Sequence, residues 1–207
     1  LVVVAGTGTE VGKTWVAHGV ATRLIEAGLR VTARKPAQSF GPEDQVTDAD
    51  ILASATGEDP YVVCPAQRWY RVPMAPPMAA EALGLAVPTL EDLLDEVAAN
   101  WPDPPADLGL LETAGGVASP IASDADNAQL AHAIDADIAV LVADPGLGTI
   151  NSVRLGASAL APTPTVVFLN RFDPGIRLHQ ANLDWLEQRD GFTVATTVSA
   201  LSEHLQS

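Results

Sequence analysis

The opening stretch, LVVVAGTGTEVGKTWVAHGV, constrains this chain more than any other. An apolar run over 1–5 passes into a loop of Gly, Thr and Glu that ends in Gly12, Lys13 and Thr14, and helical spacing follows. Those three parts describe a buried strand, a tight turn whose glycines bring backbone N–H groups inward, and a helix whose positive end faces the turn. Such a turn cradles phosphate groups. Lys13 then supplies a point charge to the outer oxygens, and the Thr14 hydroxyl is placed for a divalent ion. Between Gly6 and Gly12 the loop carries one residue more than the ordinary G-x-x-x-x-G-K-[ST] spacing, and Glu10 lies inside it. A carboxylate beside a bound triphosphate is unfavourable unless it faces a cation, such as Mg²⁺ or an amine.

Apolar runs alternate with helical patterns along the rest of the chain. Strands are predicted over 1–5, 29–34, 107–112, 139–143 and 165–169, with a last edge strand over 194–198. Helices are predicted over 14–27, 89–100, 149–160 and 177–188, with Gly28 as a stop signal and Thr89 as an N-cap. This alternation predicts an α/β fold of the P-loop NTPase kind: three layers, a mostly parallel central sheet, and one domain over 1–207. The proline-rich runs 73–77 and 102–105 read as loops. The irregular stretch 42–88 is expected to wall an active site at the carboxyl ends of the strands.

Composition narrows the partners. A formal net charge of −15 repels nucleic acid and anionic lipid, so neither is an expected partner, and an anionic ligand must be held by local cations. Cys64 is the only cysteine, which rules out a disulfide within these residues and fits a reducing cytoplasm; it reads as an inert thiol rather than a nucleophile. No apolar run approaches the roughly 20 residues that span a bilayer. No basic stretch leads into a long apolar segment at the start, so neither a membrane segment nor a secretory signal is expected. His18, His132, His179 and His204 lack metal-ligand spacing and read as structural or surface residues, and Trp15 and Trp185 read as packing groups.

The loop GTGTEVGKT closely resembles that of the dethiobiotin synthetases, and further segments follow in the expected order at strand ends. Lys35 and Ser39 stand where that family has a Lys on the γ-phosphate and carbamate and a Ser on the substrate. A Lys at a strand end beside a phosphate loop also makes sense on charge alone. Asp50 aligns with the family's Mg²⁺-binding Asp at a helix start, with Asp48 as the competitor, although an acid there also serves as a cap. Glu112 ends a buried strand ahead of Gly115 and Gly116 and takes the second Mg²⁺ position, while Thr113 replaces the first Gly of Glu-Gly-Ala-Gly-Gly. If that position needs a positive φ, a β-branched residue is strained there. Gly148, Thr149 and Asn151 match a turn that, in the family, binds the substrate carboxylate from the partner subunit of a homodimer; a glycine turn at a helix N-terminus suits an anion. Asn170 matches an adenine contact. Past Asn170 the resemblance thins, and 191–194 is the nearest remnant of the usual Gly-x-Ile-Pro stretch.

The resemblance implies an ATP- and Mg²⁺-dependent ring closure of 7,8-diaminononanoate with CO2, the step that makes dethiobiotin in biotin synthesis. Lys13, Lys35 and Thr9 would be catalytic. The nucleotide would lie on Gly8, Thr9, Glu10, Val11, Gly12, Lys13, Thr14 and Asn170, Mg²⁺ on Thr14, Asp50 and Glu112, and the carbamate on Thr9, Ser39, Gly115 and Gly116. Two other readings stay open. One is a partition or positioning ATPase, against which Gly8 stands where that class has a second lysine. The other is a related amide-forming ligase, kept open by Thr113 and the divergent C-terminal region.

Overall fold

The computed structural model describes residues 1–206. Its elements in chain order are β1 (Val2–Gly6), α1 (Lys13–Glu26), β2 (Val31–Arg34), β3 (Gln38–Ser39), α2 (Asp48–Thr56), α3 (Pro60–Val63), a 3-10 turn (Ala66–Arg68), β4 (Trp69–Tyr70), α4 (Pro76–Ala82), α5 (Leu90–Ala99), β5 (Leu108–Glu112), α6 (Asn127–Ala133), β6 (Ile138–Ala143), α7 (Thr149–Leu160), β7 (Thr165–Leu169), α8 (Arg177–Gln188), β8 (Thr193–Ala195) and α9 (Val198–His204). Six strands form one sheet in the order β2-β5-β1-β6-β7-β8, and every pairing in it is parallel. The short β3 and β4 pair separately.

Period-2 alternation in β1 builds the two cores. Val3 and Ala5 join the cluster that includes Leu93 of α5, Leu130 of α6, Val153 of α7 and Leu186 of α8. Val2 and Val4 join the opposite cluster, with Val16, Val20 and Leu24 of α1, Leu52 of α2 and Leu201 of α9. Helices therefore cover both faces, which is why the inner strands read as uninterrupted apolar runs.

Register then positions the site. Val4 lies opposite Glu112, Gly6 opposite Val142, and Arg34 opposite Leu111. Lys35, one residue past β2, is thereby delivered beside Glu112, and both strand ends open next to the loop that follows Gly6.

The predicted helices over 149–160 and 177–188 and the strand over 165–169 have the observed bounds. Thr89 caps α5 in a capping box with Asp92, and Gly28, at φ 92°, follows the end of α1. The last region differs from expectation: the strand ends at Ala195, and Val198 begins a helix whose N-cap is Thr197. Pro76, expected in a loop, occupies the first turn of α4, a position that tolerates its missing N–H.

Candidate active site

Between Gly6 and Thr14 the backbone curls so that no N–H from Gly8 to Thr14 donates a hydrogen bond within the described residues. Gly12, the N-cap of α1, is left-handed at φ 94°, and a Cβ there would lie 2.1 Å from the Asn170 amide nitrogen. No other residue type fits that position. The unpaired N–H groups and the α1 N-terminus together form a concave donor surface for an anion.

Lys13 and Lys35 are the only lysines in the sequence, and both are buried here, at 7% and 2% exposure. The Lys13 ammonium lies 3.4 Å from the Gly8 carbonyl. Lys35 Nζ lies 2.6 Å from Glu112 Oε1 and 2.7 Å from Asp48 Oδ2. Thr14 Oγ1 lies 2.8 Å from Glu112 Oε1 and 2.9 Å from Asp48 Oδ1. The hydroxyl has one proton for two carboxylates, so one of those close oxygen pairs lacks a hydrogen between its atoms. Glu112 Oε2 is buried with no hydrogen-bond partner among the described residues. A crowded oxygen set with an orphan lone pair suits a hard cation. No group of three His, Cys, Asp or Glu side chains that could hold a metal occurs among the described residues. Thr14, Asp48 and Glu112 are the oxygen donors here that could contribute to the shell of such a cation.

Charge is tightly coupled at this point. Burial pushes the Glu112 carboxyl above its ordinary range against the pull of Lys35. Burial acts the same way on Asp48, yet the Lys35 ammonium and the Thr14 hydroxyl outweigh it and hold that carboxyl below its usual value. Burial is also the largest influence on Lys35, but Glu112 and Asp48 overcome it and raise the ammonium's pKa. Lys13 is lowered, first by burial and then by the charge of Lys35. Lys35 is therefore neutralised by its carboxylates, while Lys13 has no ion-pair partner within salt-bridge distance among the described residues.

These groups line one cavity of about 740 Å³. Thr9, Glu10, Gly12 and Arg171 line its phosphate-loop side; Gly115 and Ser119 line another wall. Ser39 and Phe40, at and just past β3, line it too, and Asp44, Pro73 and Met74 come from the irregular stretch 42–88, as its position predicted.

Comparison with known proteins shows the lineage. A family model described as an AAA domain matches residues 1–200. The ATP-dependent dethiobiotin synthetase BioD of Rhodococcus jostii is 36% identical across 100% of this chain and 89% of its own length. The chain belongs to the dethiobiotin synthetase family. Other proteins carrying that name are similar over comparable lengths: one from Haloferax mediterranei is 33% identical across 93% of this chain and 81% of its own. Among solved structures, a putative plasmid partition protein from Borrelia burgdorferi bound to AMPPNP has a TM-score of 0.59 at 12% identity, covering 95% of this chain and 86% of that one. The signal recognition particle receptor FtsY from Elizabethkingia anophelis has a TM-score of 0.56 at 14% identity, over 95% of this chain and 59% of that one. Both likenesses concern the fold alone.

The two acids at the start of α2, Asp50 and its competitor Asp48, stand in different places. The Asp50 carboxylate accepts from Thr47 N at 2.8 Å and Thr47 Oγ1 at 2.7 Å, closing the capping box of α2, and Asp48 instead reaches Thr14 and Lys35. Thr113 is not among the residues of positive φ; the left-handed position is Gly115 at φ 76°, so the substitution carries no backbone strain. Ser39 Oγ is buried without a hydrogen-bond partner among the described residues.

Asn170 sits against the loop rather than facing outward. Its Nδ2 donates to Val11 O at 2.9 Å, and its Oδ1 accepts from Arg171 N at 3.0 Å. Gly148, Thr149 and Asn151 do not line the cavity of Lys13. They open α7 beside Leu147, which is 94% exposed. A second cavity of about 420 Å³, walled by Gly8, Thr9, Gly116, Ser152 and Leu155, lies between α7 and the phosphate loop.

Sequence reasoning missed Ser119 and Asn127. Ser119 Oγ accepts from Gly116 N at 3.0 Å, and the fully buried Asn127 donates to Ala114 O at 2.6 Å and Gly116 O at 2.8 Å. The capping box of α6, Asp126 with Gln129, was the sequence signal for that region. Trp15 is 60% exposed, so it is not the packing group expected. Cys64 is buried, and burial raises its thiol pKa, as suits an inert cysteine.

Proposed function

We propose that this protein is an ATP-dependent dethiobiotin synthetase that joins CO2 to 7,8-diaminononanoate and closes the cyclic urea. The observation that carries the reading is the convergence of Thr14, Lys35, Asp48 and Glu112 at the base of the phosphate-loop cavity. The family match over 1–200 supports it, and also supports one catalytic domain over 1–207.

The chemistry needs no protein nucleophile. One substrate amine adds to CO2 and loses a proton to give a carbamate. A carbamate oxygen attacks the γ-phosphorus, the bond to the bridging oxygen breaks, and ADP leaves. The second amine then attacks the carbonyl carbon of the mixed anhydride, and inorganic phosphate departs as the ring closes. The chain's share is placement and charge. Backbone N–H groups from Gly8 to Thr14 hold the phosphates. Lys13, unpaired and in a buried site, follows the charge that develops on the transferring group. Lys35 starts between two carboxylates and shifts toward the carbamate and γ-phosphate when they arrive. Thr9, Ser39 and the Gly115–Gly116 turn hold the carbamate, and the orphan Ser39 hydroxyl is free to do so. Thr14, Asp48 and Glu112 would hold Mg²⁺, which when bound offsets phosphate charge and orients the triphosphate.

A homodimer completes this reading. The exposed Leu147 before α7 and Leu155 on it, which also lines the second cavity, offer apolar surface to a second copy, so that Gly148, Thr149 and Asn151 of one subunit would serve the other's substrate. A cytoplasmic setting is supported by the single buried cysteine; among the described residues no helix is long and apolar enough to cross a membrane. The test is ADP and phosphate release with ATP, Mg²⁺, bicarbonate and the diamine. Release should depend on the diamine and yield dethiobiotin by mass; release indifferent to it would refute the assignment.

A further inference from the structure

Three residues other than glycine adopt positive φ among the described residues: Glu10 at 61°, Asp135 at 53° and Arg171 at 59°. Such backbone is uncommon for residues with a Cβ. Glu10 and Arg171 touch each other at the mouth of the cavity. Arg171 Nη2 donates to Glu10 O at 3.2 Å, while its own N–H donates to Asn170 Oδ1 at 3.0 Å. Asn170 Nδ2 in turn donates to Val11 O at 2.9 Å. Two consecutive loop carbonyls are thus held from the end of β7, at the segment where the loop carries its extra residue.

We infer that Arg171 is a positioning residue that orients the lengthened phosphate loop for the triphosphate. In a trans peptide the C=O and the next N–H point in opposite directions. With the Glu10 and Val11 carbonyls drawn toward Asn170 and Arg171, the N–H groups of Val11 and Gly12 turn away from them. Neither donates within the described residues, so both are available to the anion the loop encloses. A loop of ordinary length reaches this shape with glycines; here a longer loop with Glu10 in the left-handed region is held by a side chain from outside. Charge adds to the argument. In a chain of net charge −15, Lys35 is neutralised by Asp48 and Glu112, which leaves Lys13 and Arg171 as the cavity-lining cations without an ion-pair partner among the described residues.

The inference rests on the ATP-binding reading above, and the test separates the two. ATP affinity is measured by calorimetric titration with Mg²⁺, beside steady-state kinetics, for the wild type, Arg171→Ala and Arg171→Lys. Arg171→Ala should raise Kd and KM for ATP about tenfold, roughly the loss of one charge-assisted hydrogen bond, with kcat within about twofold. Arg171→Lys keeps a donor for Glu10 O and should recover ATP affinity to within about threefold. Wild-type affinity in Arg171→Ala, a Lys variant as poor as Ala, or a fall in kcat at unchanged KM would each overturn the inference. So would a melting temperature lowered by more than about 5 °C with KM and kcat damaged together, which marks a structural role only. A wild type that binds ATP but shows no diamine-dependent turnover refutes the proposed reaction and leaves the binding comparison decisive here. A wild type that fails to bind ATP overturns both.

Discussion

The loop from β1 to α1 and the loop from β6 to α7 are built alike and end up with different chemistry. Each leaves the carboxyl end of a parallel strand, and β1 and β6 are neighbours in the sheet. Each ends in a left-handed glycine N-cap, Gly12 at φ 94° and Gly148 at φ 93°, with no side-chain cap. In each, a buried Asn from a later element holds carbonyls: Asn170 takes Val11 O, and Asn182 takes Pro145 O and Gly146 O. The first loop, however, delivers Lys13 and a Thr14 hydroxyl close to two carboxylates. The second delivers Thr149, whose buried Oγ1 has no hydrogen-bond partner among the described residues, beside the exposed Leu147. The backbone pattern yields an anion-binding geometry; the side chains at the helix start decide whether that geometry holds a triphosphate or waits for a different group.

Lys13→Ala makes the first loop resemble the second and should have the largest effect. It should lower kcat/KM for ATP by about a thousandfold with little change in fold, as read by kinetics and circular dichroism. Next in size, Asp48→Asn removes one of the two carboxylates that distinguish Thr14 from Thr149. Activity should drop about a hundredfold and the Mg²⁺ requirement should rise, whereas Asp50→Asn should keep activity within about threefold and lose about 1 kcal/mol of stability as a helix cap. Equal effects of the two substitutions would erase the distinction drawn between them.

Asn182→Ala tests the second loop. It strips donors from two carbonyls and should cost about 1–3 kcal/mol in chemical denaturation. The KM for ATP should stay within about twofold while that for the diamine rises severalfold. The smallest effect on activity belongs to a residue that lines neither cavity. Glu58 accepts from Thr32, Ala33 N and Arg34, and although burial opposes its charge these bonds hold its carboxyl below the ordinary value. Its contribution is therefore complete above the ordinary carboxylate pKa and is lost as pH falls through the lowered one. Glu58→Gln should flatten stability against pH on that acid limb and weaken the fold by about 1–2 kcal/mol at neutral pH, with ATP kinetics unchanged.

Most of the sheet and the phosphate end were legible because their signals are local. A buried parallel strand must be apolar throughout, and Gly12 and Lys13 sit in a spacing with a single physical use. Which of Asp48 and Asp50 faces Thr14 depends on which of them caps α2. The signal was present, since Thr47 followed three residues later by Asp50 is a capping box that engages Asp50 and leaves Asp48 free. Helices α4, α6 and α9 were missed because at seven residues each they show barely two turns of periodicity. The inward wall of Phe40, Asp44 and Met74 lies on irregular chain, where no period exists to read. Arg171 was passed over because what marks it is a backbone angle and a contact across the fold, neither of which a sequence displays.

Because every lysine of these 207 residues lies inside the catalytic pocket, the outer surface offers no side-chain amine. Acylation of lysine side chains, read residue by residue, would therefore report on the pocket itself. Modification should fall on Lys13, whose lowered pKa makes it the better nucleophile of the two, and bound ATP should block it. In this molecule bulk lysine labelling becomes a gauge of site occupancy.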